Sequence, residues 1–275
     1  MPPFKPNLAA TINATLELNK LSTTPEQKEG VVVIIFDDAN KTILPAADIM
    51  NKYGIKGNTA VIGEYLMLNH KNNLDRDQLK ELQDVHGWNI VSHSAYHQDA
   101  LTEYYDKGDL EGLENDIITN AQYLIELGIN SAPNWYVYPH GSTNSEIEEI
   151  IGKYYKFARL DSGWTEVFPF AEPLGVNAYL VLDNTPPNTV KKLILDAREN
   201  KLTLFLTFHR IKTSPLQDAG YDIRDFENII SYISEQGIKV ETLSELDKDN
   251  GVSMNQITIT DAIPEQIMLD VKINK

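Results

Sequence analysis

The stretch Gly30-Val31-Val32-Val33-Ile34-Ile35-Phe36-Asp37-Asp38-Ala39 decides how the chain is read. Its six consecutive apolar residues are the longest apolar run in the chain, far short of the roughly 20 that a membrane-spanning helix needs. The run reads instead as a buried strand. Two carboxylates follow it directly. In parallel β-α folds the carboxyl ends of the strands are where catalytic groups gather, so this one segment predicts both a strand and the location of the chemistry.

Outward from it, short apolar runs alternate with longer segments of helical period. Further strands are expected at Thr59–Ile62, Trp88–Ser92, Trp135–Tyr138, Lys156–Leu160, Tyr179–Leu182, Leu202–Phe208 and Lys239–Glu241. Between them Leu110, Leu113, Ile117, Ala121, Leu124 and Leu127 repeat at helical spacing, which predicts an amphipathic helix. Asp75–Val85, Asn144–Tyr155, Asn188–Glu199 and Ile223–Glu235 are predicted as helices too, the last stopping at Gly237. Seven or eight β-α units imply an α/β fold, a distorted (β/α)7-8 barrel. The roughly 220 residues from Gly30 to Asn250 are fewer than the ~250 of a complete eightfold barrel, so short loops or a missing unit are expected. Residues 1–28, with four prolines, read as an N-terminal extension, 29–248 as the catalytic domain, and 249–275 as a β-like tail or the start of a further module.

Composition narrows the function. Forty acidic against 24 basic residues give a net charge of -16, which repels a phosphate backbone, so nucleic acid is not an expected partner. A neutral or cationic polymer or a metal ion suits that field better. With no cysteine, thiolate metal sites and cysteine nucleophiles are excluded, and any metal must be held by histidines and carboxylates. No membrane insertion and no secretory signal are expected from the chain as it stands.

Several strand ends are polar. The first strand runs into Asp37 and Asp38, the third ends at His93 with His97 four residues on, and the last strongly apolar strand ends at His209. Singly, each has an ordinary explanation: an Asp pair after a strand caps helices or forms turns, and isolated histidines are usually surface or core residues. Together, at the ends of separate strands in a chain with only six histidines, they predict a metal site. One carboxylate and two neutral imidazoles make a three-ligand site with open positions. Neighbouring side chains on a strand face opposite ways, but where the strand breaks into a loop Asp37 and Asp38 can both reach one site. The first inference from the residues alone is metal-assisted hydrolysis, with a carboxylate as base and His209 as acid.

Over residues 30–246 the chain resembles the polysaccharide deacetylases of the NodB-homology type, carbohydrate esterase family 4. Ile35-Phe36-Asp37-Asp38-Ala39 resembles the family's Thr-Phe-Asp-Asp-Gly motif, and His93-Ser94-Ala95-Tyr96-His97 its His-Ser/Thr-x-x-His motif. The resemblance implies Asp37 as base, and Asp38, His93 and His97 as ligands of a divalent metal, zinc first, with Co2+ or Ni2+ as alternatives. Val137-Tyr138-Pro139-His140-Gly141 resembles Arg-x-Pro-x-Gly without its arginine, which in the family braces the base. Some bacterial relatives have a Tyr-Pro-x-Gly form followed by an Ala-Arg segment similar to Ala158-Arg159. By the same resemblance the backbone N–H of His140 faces the oxyanion.

In Asp161-Ser162-Gly163-Trp164, Gly163 stands where the family has an Asp that orients the catalytic histidine. Either Asp161 takes over that task or His209 lacks such a partner. Leu204-Phe205-Leu206-Thr207-Phe208-His209 matches the last motif.

The expected activity is that of a carbon-nitrogen hydrolase acting on linear amides: removal of N-acetyl groups from N-acetylglucosamine-type sugars of a polysaccharide. Tyr138, His140, Trp164 and Tyr96 are expected to line a substrate groove. An O-acetyl (xylan-type) esterase, or a binding module impaired by the changes at Val137 and Gly163, are the alternatives. The family's habits imply an extracellular, cell-envelope or phage-particle setting.

Overall fold

The computed structural model describes residues 29–161, 163 and 165–253. The expected N-terminal extension, the tail beyond 253 and Trp164 lie outside the described residues. Elements run in the order β1 (Val31–Phe36), α1 (Leu44–Lys52), β2 (Asn58–Val61), α2 (Gly63–Met67), α3 (Arg76–Asp84), β3 (Asn89–Ser92), α4 (Leu110–Glu126), β4 (Trp135–Val137), α5 (Ser145–Ile151), β5 (Phe157–Arg159), β6 (Tyr179–Leu180), α6 (Pro187–Asn200), β7 (Thr203–Phe208), β8 (Ile211–Lys212), β9 (Tyr221–Asp222), α7 (Ile223–Gln236), β10 (Lys239–Val240) and α8 (Leu243–Asp249). Every strand predicted between residues 31 and 241 is present. Helices α1, α2 and α8 were not foreseen; Pro45 stands in the first turn of α1, where a missing N–H costs nothing.

Seven strands form a curled parallel sheet in the order β5-β4-β3-β2-β1-β7-β6. The two edges meet through the segment leading into β6. Val176 N donates to Ala158 O at 2.9 Å and Leu160 N to Val176 O at 2.8 Å, while Tyr179 pairs with Leu206. The result is the distorted (β/α) barrel expected from the pattern. Its irregularity lies beside β1, which pairs with β10 at Val31 and Val32 and with β2 only at Ile35 and Phe36. Asn58 fills the fork: its Nδ2 donates to Ile34 O and its Oδ1 accepts from Leu243 N, both at 2.9 Å.

Strand alternation sorts the core. Val31, Val33 and Ile35 pack inside the barrel with Val91, Trp135, Val137, Phe157 and Phe205. Val32, Ile34 and Phe36 pack outward with Ile229, Ile230 and Phe226 of α7 and Ile194 of α6. A third cluster sets Tyr136, Tyr138 and Ala158 against Leu113 and Ile117 of α4 and Ile147 of α5. Because side chains repeat every two residues, the parity that sends 33 and 35, 91, 157 and 205 inward also sends Asp37, His93, Arg159 and Thr207 inward, at the carboxyl mouth.

Asn58→Ala leaves Ile34 O and Leu243 N buried without partners, and two lost buried partners cost about 2–4 kcal/mol. Urea unfolding of this variant should show that loss, and a change under 0.5 kcal/mol would mean the fork is held by something else.

Candidate metal centre

Asp38, His93 and His97 meet at the mouth. Asp38 Oδ1 lies 3.6 Å from His93 Nε2 and 3.4 Å from His97 Nε2, and one donor atom from each residue lies within 4.8 Å of the others. Parity would turn Asp38 away from the interior. It is brought back because its backbone takes the left-handed conformation, φ 66°, followed by Ala39 at φ 48°. Asn73 clamps this turn, its Nδ2 donating to Asp38 O at 2.7 Å. Breaking the strand is what turns Asp38 back toward the two histidines.

His93 is 2% exposed, and its Nδ1–H donates to Val137 O at 2.9 Å. That bond fixes the tautomer and presents the Nε2 lone pair toward Asp38, as a ligating imidazole requires. His97 sits on a loop with left-handed residues at Ser94 (φ 61°) and at His97 itself (φ 55°). Ser94 Oγ accepts from His97 N at 2.8 Å.

Beneath the loop, α4 supplies Asp116, a carboxylate 1% exposed. It accepts from Ala95 N at 2.5 Å, Tyr96 N at 3.1 Å and Tyr104 Oη at 2.9 Å. Reasoning from sequence missed Asp116. The signal was there, since 116 falls beside Leu113 and Ile117 on the apolar stripe of α4, where a solvated acid does not belong.

The electrostatics suit a cation. Burial works to raise the pKa of Asp38, but the facing His93, with His209 and His97, outweighs it and holds the carboxyl well below the usual carboxylate range. His97 is pushed down to about 4 by burial and by His93, against the pull of Asp38, so it is a neutral donor at pH 7. Burial also opposes charge on His93, yet Asp38 and Asp37 together raise its pKa. Asp38 Oδ1 is buried with no hydrogen-bond partner. An orphaned carboxylate oxygen facing two imidazole nitrogens fits a divalent ion with open coordination positions.

Behind the triad lies an ion-pair network. Arg159, with 0% of its surface exposed, is paired through Nη2 with Asp37 Oδ2 and through Nη1 with Asp161 Oδ1. Nη1 also donates to Thr207 Oγ1 at 3.1 Å. Burial disfavours the guanidinium charge, but Asp37 and Asp161 more than offset it and raise the pKa. Arg159 is the register partner of Val137 across β4 and β5, so the cation reaches Asp37 from the strand next to the one expected. Asp37 Oδ1 remains buried and without a hydrogen-bond partner.

Two expectations, for Asp161 and for Tyr138, are corrected by this geometry. Asp161 engages Arg159 rather than His209, and among the described residues no carboxylate is hydrogen-bonded to His209. Gly163 has no room for the family's Asp, because an ideal Cβ there would lie 2.3 Å from Asn177 Cβ. Tyr138 does not line an open groove: it is 1% exposed and, having the parity of Tyr136, packs toward the helices, where burial raises its pKa. His140 is exposed, takes φ 58°, and donates from Nε2 to His97 O at 3.3 Å, its ring 4.7 Å from that of His97.

Comparison with known proteins agrees with this architecture. The polysaccharide deacetylase family model matches residues 24–155, which carry Asp37, Asp38, His93 and His97. Over these residues the chain is similar to that family. No curated protein matches it.

Among solved structures it resembles the Xyl-CE4 domain of a multidomain xylanase from the hindgut metagenome of Trinervitermes trinervoides. That match has 19% identity and a TM-score of 0.58, over 84% of this chain and 96% of that one. A family 4 acetyl xylan esterase from Clostridium thermocellum, solved with a cobalt ion, is 19% identical with a TM-score of 0.52, over 82% and 94%. The Bc1960 peptidoglycan N-acetylglucosamine deacetylase is 14% identical with a TM-score of 0.52, over 84% and 92%. At such identities the likeness speaks for the fold. No helix among the described residues is long and apolar enough to cross a membrane.

Two substitutions test this description. Asp116→Ala removes the acceptor under the His97 loop and should weaken zinc binding by about 10–100-fold in calorimetric titration, with the far-ultraviolet spectrum unchanged. Arg159→Ala leaves Asp37 buried and unpaired and should destabilise the protein by about 3–5 kcal/mol in chemical denaturation. Wild-type stability in that variant would show that the ion pair is not buried as described.

Proposed function

We propose that the protein is a metal-dependent deacetylase that removes N-acetyl groups from N-acetylglucosamine-type sugars within a polysaccharide. The observation that carries this reading is the adjacency of two carboxylates with different surroundings: Asp38 facing His93 and His97, and Asp37 held on Arg159. Asp38, His93 and His97 would hold the divalent ion, zinc foremost, with cobalt or nickel as substitutes. When bound, such an ion polarises the acyl carbonyl and acidifies water.

The protein's own residues supply the rest. Arg159 fixes one oxygen of Asp37, and the unpartnered Oδ1 takes a proton from the water that attacks the acyl carbon. The network from Asp161 and Thr207 keeps that guanidinium in place. His209, at the end of β7, protonates the departing amine. The backbone N–H of His140, whose left-handed turn sets it beside His97, donates to the oxyanion. The barrel mouth receives the polymer, with Trp164 and His140 as candidates to touch it.

Purified protein loaded with zinc, cobalt or nickel should release acetate from N-acetylglucosamine oligomers or peptidoglycan. Release from acetylated xylan alone would make it an O-acetyl esterase, and no release from any of these would leave a carbohydrate-binding module. Asp37→Asn should keep its metal by elemental analysis yet lose at least about 100-fold in turnover, whereas His93→Ala should lose the metal. Turnover near that of the wild type in Asp37→Asn excludes that residue as the base.

A further inference from the structure

Beside the triad lies a cleft of about 130 Å³ that the chemistry above leaves unused. Asp38 and His97 form one side of it, so it opens onto the same centre, and Asn40, Asn72, His70 and Arg210 contribute to the rest. Arg210 directly follows His209 and is exposed. It is the one Lys or Arg in the lining. Acidic residues outnumber basic ones 40 to 24, yet no carboxylate among the described residues is paired with its guanidinium.

The walls are fixed. Lys41 N donates to Asn72 O and Leu74 N to Ala39 O, both at 2.8 Å, which zips the loop after β1 to the loop after α2. Asn73 Oδ1 accepts from His70 Nδ1 at 2.7 Å, and the His70 ring stacks on Tyr65 with centroids 5.1 Å apart. Asn40 uses its Oδ1 to accept from Thr42 N at 3.1 Å, which leaves its NH2 as a donor.

A planar guanidinium without a counter-ion, beside neutral amide donors in a preformed cleft, matches a carboxylate in geometry and charge. We propose that the cleft is a subsite for a carboxylate on the sugar next to the acetylated one, so that the glycan is acidic, containing a uronic acid or a lactyl-ether sugar. The net charge of -16 does not oppose this at close range, because a Debye length of about 8 Å at physiological salt screens distant acids. The term "acetylated sugar" rests on the deacetylase reading; carboxylate capture at Arg210 does not.

The test is calorimetric binding to the zinc-loaded protein of two probes. One is a glucuronate-containing N-acetylhexosamine disaccharide and the other an N-acetylglucosaminyl-N-acetylmuramic acid disaccharide, each compared with its carboxyl methyl ester, with acetate release followed in the same samples. At least one free acid should bind about tenfold more tightly than its ester, and which one does so separates uronate from lactyl ether. Arg210→Gln should bring that ratio near one, and Arg210→Lys, which keeps the charge but not the fork, should fall between. Equal binding of acid and ester by the wild type, no binding of either, or a ratio unchanged in Arg210→Gln overturns the proposal. Acid-selective binding without acetate release would instead overturn the deacetylase reading and leave the carboxylate subsite standing.

Discussion

A guanidinium with no exposed surface lies between Asp37 and Asp161, and the rest of the site depends on it. Removing such a charge from water costs several kcal/mol unless it is fully paired, so Arg159 is tolerable only when β1, β5 and β7 bring Asp37, Asp161 and Thr207 to it together. The ion pair therefore couples closure of the barrel to assembly of the site. It also divides the labour between adjacent carboxylates. Asp37 is committed to a fixed cation through one oxygen, whereas Asp38 faces only imidazoles and keeps an oxygen that an external ion can take.

Backbone strain marks the same place. Of the seven non-glycine residues with positive φ among the described residues, Asp38, Ala39, Ser94, His97 and His140 surround the triad. A left-handed residue with a Cβ costs roughly 1–2 kcal/mol, and such costs persist only where surrounding contacts over-determine the conformation. Those contacts are identifiable: Asn73 on the carbonyl of Asp38, and Asp116 and Ser94 on the amides of 95–97. Ala39 adds a buried methyl to the outer core at a position where glycine would be conformationally easier.

The barrel was legible because its strands are short apolar runs punctuated by turns, and the triad was legible because its residues sit at strand ends. What stayed hidden depends on side-chain parity and on contacts between elements far apart in sequence. Counting by twos from Trp135 gives Val137 inward and Tyr138 outward, which already argues against Tyr138 in a groove. Asp116 was passed over because helical periodicity was read from its apolar members alone. No local pattern identifies Arg210, since its meaning comes from loops around residues 40 and 72 that only the fold brings beside it.

The two departures from the motifs that the chain resembles, Val137 and Gly163, each have a physical counterpart in the structure. Val137 is buried inside the barrel, its carbonyl holds His93, and it stands in register with Arg159 one strand away. Neighbouring strands are about 4.8 Å apart, well within the reach of an arginine, so moving the cation from position 137 to 159 lets it arrive at the same carboxylate from the adjacent strand. Once the guanidinium projects from β5, its second fork is met by Asp161, two residues further along the same chain. An additional carboxylate at 163 would have neither space, with Asn177 packed against it, nor a free cation to face. The charge bracing Asp37 thus reaches it from β5, and Asp161 on the same stretch of chain serves as its second counter-ion.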